Sequence, residues 1–179
     1  MFQLTMANIY VRMASADDLN AIMAIIDDAK QLLKRDGSTQ WQDGSPNREL
    51  LKSDILKSRC WVLMVGNQVA GTSTLLTEPE PTYIKIEKGS WHQQEERYAT
   101  IHRVAISSKF RGMHLSKFMF SNLISIGYLK GFRNFRIDTH EVNVRMQKLI
   151  KDFNFVYRGD IFIDQTPEGK RMAYELNMD

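Results

Sequence analysis

The sequence predicts an α/β protein, one domain spanning residues 1–179 and built as a mixed sheet with helices layered against it. Three observations lead there. The chain of 179 residues is close to the size of one compact domain and long enough to bury a sizeable core. Segments with alternating apolar residues are interleaved with segments whose apolar residues recur at three and four. Their order, a strand, two helices, a strand pair, then strand, helix, strand, helix and a final strand pair, is a three-layer plan around a single sheet.

The elements follow in chain order. NIYVRMA alternates as a strand, and SADD then offers Ser15 as a helix cap with acids in the first turn. Leu19, Ile22, Ile25, Ile26, Ala29, Leu32 and Leu33 make the apolar stripe of the first helix. Residues 36–47 are turn formers around Trp41, and Asn47 opens a shorter helix to about Ser58. CWVLMVG and QVAGTSTLL read as a hairpin turning at Gly66 and Asn67. From Thr77 to Glu96 periodicity is lost, and so long a loop in a compact domain is a candidate for facing substrate. A strand from Arg97 to Ile106 leads through SSKFRGM into a helix beginning near His114, with Leu115, Phe118, Met119, Leu123 and Ile126 as its buried stripe. FRIDTH is a further strand and residues 142–153 a further helix. FVYRGDIFI and MAYELN close the chain as a hairpin across DQTPEGK.

Composition excludes several classes. With 43% hydrophobic and 25% charged residues the chain reads as an ordinary globular protein, and no apolar run approaches the roughly 18 residues of a membrane span. MFQLTMANIY lacks the basic and apolar regions of a secretory leader, so the expected location is the cytoplasm. The single Cys60, set in CWVLMV, has no second cysteine for a disulfide or a zinc cluster and is expected in the core. No metal is expected, because His92 and His140 lack partners at ligand spacing.

The net charge of +3 conceals an uneven distribution. Between Arg97 and Lys151 stand 11 Lys or Arg against two acids, Asp138 and Glu141. Such a window is the footprint of a polyanion, either nucleic acid or a phosphorylated small molecule, or else a solvated basic face. The turn RGMHLSK lies inside it. The first turn of a helix carries unpaired N–H groups and partial positive charge, which suit a phosphate, and Lys109 and Arg111 add full charges beside it. Gly112 supplies the backbone freedom for those N–H groups to converge.

Three segments together, RVAI, RGMHLSKFMF and NVRMQKLIKDFNF, resemble the GNAT superfamily of N-acetyltransferases, and the likeness in element order covers nearly the whole chain. The resemblance implies a central twisted mixed sheet of about seven strands flanked by about four helices. It also implies acetyl-coenzyme A as cosubstrate, its pyrophosphate over Arg111, Gly112, Met113, His114, Leu115, Ser116 and Lys117 in the place of an RGxGxG or RGxGxA turn. Here His114 and Ser116 stand where the family has small residues. The third segment is similar to NxxAxxLYxxxGF, placing Asn143 and Met146 along the pantetheine channel, with Leu149 and Phe155 matching too. Ile150 stands at the family's tyrosine and Asn154 at its glycine.

The implied activity is acetyl transfer from acetyl-coenzyme A to a primary amine of a small molecule or peptide. An amine of pKa about 10.4 is neutral in only about one molecule in 2,500 at pH 7, a cost of roughly 4.6 kcal/mol, so a base is needed. His102 is the candidate, on the parity of Val104 and Ile106 and at a strand position where arylalkylamine acetyltransferases carry a histidine; a structural histidine is the competing reading. The family stabilises the acyl oxygen with a backbone N–H of this strand, expected at Val104, with Ile106 pairing to the pantetheine. Glu78, Glu80, Glu95 and Glu96 favour a cationic acceptor if they face the site. Trp41 and Trp91 more often anchor loops than bind ligands. The alternatives are a protein N-terminal acetyltransferase with an open groove, a non-catalytic acyl-coenzyme A sensor, motivated by His114 and Ile150, and, last, a nucleic-acid binder. No membrane partner is expected, and a homodimer is left open.

Overall fold

A computed structural model describes residues 7–94 and 96–178. The start of the stretch read for a leader, and Glu95, lie outside the described residues. Strand β1 (Ile9–Met13) is followed by helices α1 (Leu19–Arg35) and α2 (Arg48–Leu56), then by β2 (Cys60–Val65), β3 (Gln68–Leu76) and β4 (Tyr98–Ile106). Helix α3 (Leu115–Leu129), β5 (Asn134–Thr139), α4 (Val144–Asp152), β6 (Val156–Phe162) and β7 (Lys170–Asn177) complete the chain. The seven strands form one sheet in the order β1-β2-β3-β4-β5-β7-β6. All neighbours are antiparallel except β4 and β5, which are parallel and joined through α3. Among the described residues no helix is long and apolar enough to cross a membrane.

Each face of the sheet is covered by helices. On one, Ile22 and Ile26 of α1 and Leu51 of α2 pack on Val62, Met64 and Ala105. Full burial of each isoleucine contributes about 1.5–3 kcal/mol. On the other, Met119, Phe120 and Leu123 of α3 and Leu149 and Ile150 of α4 pack on Ile101, Phe135 and Ile137. The expected α3 stripe is rotated: Phe118 and Ile126 are not in its buried set, whereas Phe120 and Gly127 are. α3 is apolar on several sides, so periodicity alone could not orient it, and a Cβ at position 127 would overlap the Phe135 ring.

The loop from Thr77 to Arg97 is pinned to the sheet. Trp91 is buried with Tyr83, Ile161 and Ala173, and its indole donates to the Tyr83 carbonyl at 2.9 Å. The Arg136 guanidinium lies between the Trp91 and Tyr98 rings, donates to the Gln93 carbonyl at 2.8 Å, and pairs with the buried Glu175 at 3.1 Å. The loop thus holds its residues at fixed positions above β4.

Candidate active site

β4 and β5 pair only at their beginnings, Tyr98 with Asn134, Ala99 with Phe135 and Thr100 with Arg136. Beyond these residues β4 continues to Ile106 and β5 to Thr139 with facing edges unpaired, and the sheet opens into a cleft of about 1510 Å³. The Ser107 amide donates to the Ala70 carbonyl on the β3 side at 2.8 Å. Alternation along the strand then turns the backbone groups of Ile106 and Val104 toward the opening. Both residues line the cleft.

At one end the cleft meets the start of α3. Gly112 has φ of +87° and His114 φ of +54°, so these two positions of the turn take the left-handed conformation, which costs a non-glycine residue roughly 1–2 kcal/mol. Among the described residues the amides of Gly112, His114, Leu115 and Ser116 have no backbone or side-chain acceptor. Arg111, Gly112, His114, Leu115 and Ser116 line the cleft. Met113 and Lys117 do not: their amides bond to the carbonyls of Phe110 and His114, and the Lys117 ammonium pairs with Asp152 at 2.8 Å.

Asn143 and Met146 also line the cleft. The Asn143 side chain caps α4, accepting from the Met146 amide at 3.1 Å, and donates to Gln40 at 3.2 Å. With Thr39 near His140 and Asp36 paired to Arg145, this contact carries the 36–46 loop across the cleft. Ile150 is fully buried in the core away from the cleft, so no acid stands at the family's tyrosine position. Asn154 has φ of +62°, which explains the glycine usual there and the tolerance of asparagine.

His102 requires a correction. Strand parity predicts its side chain on the face of Val104 and Ile106, but Arg103 has φ of +55° and forms a β-bulge. Thr74 pairs with His102 and Thr72 with Ala105, so His102 shares the face of Ala105, opposite Val104 and Ile106. A single inserted residue reversed the reading. Arg103 is held by Asp54 of α2, whose Oδ2 accepts from its Nη2 at 2.7 Å and from Nε at 3.0 Å.

On that face lies a cluster in which only His102 was singled out as catalytic. His102 Nε2 is 3.2 Å from Glu80 Oε2, and Nδ1 is 3.9 Å from Asp138 Oδ1. The Tyr83 hydroxyl donates to Asp138 Oδ1 at 2.6 Å. The hydrogen bond from His102 holds the Glu80 carboxyl below its ordinary range, against burial, with the Thr82 amide and hydroxyl assisting. Burial first, and then the Asp138 charge, pushes the Tyr83 phenol well above its ordinary value, so it remains a donor at neutral pH. Glu80, His102 and Asp138 line the cleft. Of the other loop acids, Glu78 pairs with Arg59 and Glu96 accepts from Asn134. Five of the 11 basic residues of the window, Arg103, Lys117, Arg136, Arg145 and Lys148, meet acids.

Residues 26–155 match the family model described as Acetyltransferase (GNAT) family. No match is found among curated protein sequences. The fold is similar to a GNAT-family acetyltransferase of Streptococcus agalactiae 2603, with 33% identity, TM-score 0.83 and coverage of 96% of both chains. It is also similar to a GNAT-family acetyltransferase of Listeria monocytogenes 4b F2365, at 21% identity, TM-score 0.73 and 95% of both chains. A chain of the NatC complex bound to Gag peptide and CoA shares the fold at 13% identity and TM-score 0.69, over 96% of this chain and 99% of that one.

Proposed function

We propose that this chain, which belongs to the acetyltransferase (GNAT) family, transfers an acetyl group from acetyl-coenzyme A to a primary amine of a small molecule. The observation that carries this reading is the unpaired edge of β4, with free helix amides at one end of the cleft and a carboxylate-flanked histidine in it. These features fit the cosubstrate. The amides of Gly112, His114, Leu115 and Ser116, with Arg111, would hold its pyrophosphate, and the β4 edge at Val104 and Ile106 its pantetheine. Acetyl-coenzyme A supplies an acyl carbon activated by a thiolate leaving group.

The chain's own residues account for the rest. Glu80 and Asp138 attract the incoming ammonium, which competes with His102 for their oxygens and frees the imidazole to take the proton. The neutral amine nitrogen then bonds to the acyl carbon as the carbon–sulfur bond breaks, the bond's electron pair leaves with sulfur, and the nitrogen's surplus proton passes to the departing thiolate, giving the amide and the free thiol. The Val104 N–H, already directed into the opening, donates to the acyl oxygen as charge develops there. A thiol of ordinary pKa near 8.5 leaves without a general acid, which accommodates the buried Ile150.

A small acceptor is favoured over an extended peptide because the 36–46 loop bridges to residues 140–145 across the cleft. The test is a melting experiment followed by thiol-release assays over a panel of amines and free-N-terminus peptides. Acetyl-coenzyme A at 100 times its Kd should stabilise by about 2.7 kcal/mol, a shift of several degrees. No shift at millimolar acetyl-coenzyme A overturns the reading.

A further inference from the structure

Arg171, at the start of β7, is not used by the chemistry above. It is 5% exposed, yet its side chain lines the cleft. Nη1 donates to the carbonyls of Glu168 at 2.6 Å and Lys170 at 2.7 Å, fixing the guanidinium against the β6–β7 hairpin. Among the described residues Nε and Nη2 have no hydrogen-bond partner, and neither is sealed in the interior. No carboxylate pairs with it within 4.0 Å among those residues. A nearly buried guanidinium with donors unspoken for is an expensive feature in a dry site and a ready one for a planar anion.

Its position is defined by strand register. Asp138 lies directly opposite Ala173, and Arg171 is two residues back along β7 on the same face of the sheet. Strand spacing puts the Cα atoms of Asp138 and Arg171 roughly 8 Å apart. That face also carries His102, because of the bulge at Arg103. The cleft therefore presents an anionic pair and, one short molecule's length away, a fixed cation.

We infer that the acceptor is an amine that also bears a carboxylate, of amino-acid type, with its carboxylate on Arg171 and its ammonium between Glu80 and Asp138. The inference rests on the acetyl-transfer reading. Asp43, Asp164 and Glu168 lie in the same cleft, but all three are exposed and screened by water, whereas an anion seated on Arg171 is not. Burial lowers the Arg171 pKa against the charges of Asp138, Asp164 and Asp43, which raise it, so the desolvation of this cation outweighs its counter-charges.

The experiment compares amino acids with their primary amides and decarboxylated amines, using thiol release by the wild-type protein and the variants Arg171→Gln and Arg171→Lys. The wild type should prefer the carboxylate form by roughly 10- to 100-fold in kcat/KM. Arg171→Gln should level that preference without changing the Kd for acetyl-coenzyme A, and Arg171→Lys should retain part of it. Amides or decarboxylated amines accepted equally well overturn the inference, as does a preference that survives in Arg171→Gln. So does a preference for peptides regardless of their carboxylates. If Arg171→Gln does not fold, the wild-type ratio still decides. Acetyl transfer without carboxylate selectivity removes this inference alone, whereas no acetyl-coenzyme A melting shift removes the transfer reading and this inference with it.

Discussion

Replacing Asp54 with alanine tests whether the bulge in β4 is held from α2. Asp54 is 2% exposed, and its Oδ2 accepts from Arg103 Nη2, Arg103 Nε and Thr74 Oγ1 at 2.7, 3.0 and 3.0 Å. Removing one partner of a buried pair costs about 3–5 kcal/mol because the other charge is left uncompensated. The Arg103 side chain keeps 16% exposure, so water relieves part of that penalty and the lower end, about 3 kcal/mol, applies. For a domain of this size that corresponds to roughly 6–12 °C in Tm. Thermal and urea unfolding measure it. The Arg103 backbone would also lose the tie that holds it at positive φ, so turnover assayed well below Tm should fall while acetyl-coenzyme A still binds. A loss of under about 1 kcal/mol for Asp54→Ala would refute the reasoning.

Three further outcomes follow from the same structure. His102→Gln should lower turnover by roughly 100-fold or more with acetyl-coenzyme A affinity near wild type, and retention of most turnover would make His102 structural. Arg111→Ala should weaken acetyl-coenzyme A binding measured by calorimetry, and unchanged affinity would move the phosphate site away from α3. The Arg12 guanidinium holds the Asp18 carboxyl at about 2, below an ordinary value of 3.8. A depressed folded-state pKa stabilises above the unfolded value and is lost as pH falls through the folded one; allowing for the part-exposed Arg12, it contributes roughly 1–2 kcal/mol at neutral pH. Asp18→Asn should therefore lie below wild type in urea stability at pH 7 and converge on it as pH drops from about 4 toward 2, whereas a constant gap would contradict the assignment.

The parts of this account legible in the sequence are those set by local pattern. Strand alternation, the α1 stripe and the Asn47 cap at α2 required no tertiary information, and the cap is present with Asn47 accepting from the Leu50 amide at 2.9 Å. The turn before α3 was legible because a strand, a glycine and a helix start in series define it. His102 was legible as a residue and misplaced as to face, because a bulge at Arg103 depends on a partner 49 residues earlier in the chain. Glu80 was legible only as one of several loop acids. What distinguishes it is the anchoring of its loop through Tyr83, Trp91 and Arg136, contacts made across the sheet. Asp138 and Arg171 carried no local mark at all, since their meeting is set by the register of β5 against β7.

Amide hydrogen exchange with and without acetyl-coenzyme A tests most directly the central claim, that the open edge of β4 and the first turn of α3 together hold the cosubstrate. Without it, the amides of Val104, Ile106, Gly112, His114, Leu115 and Ser116 should exchange readily, because none has an acceptor in the cleft. Saturating acetyl-coenzyme A should protect both groups together, the β4 amides by strand-like pairing and the α3 amides by phosphate contact. Unchanged exchange at both segments, or protection confined to other elements, would contradict it.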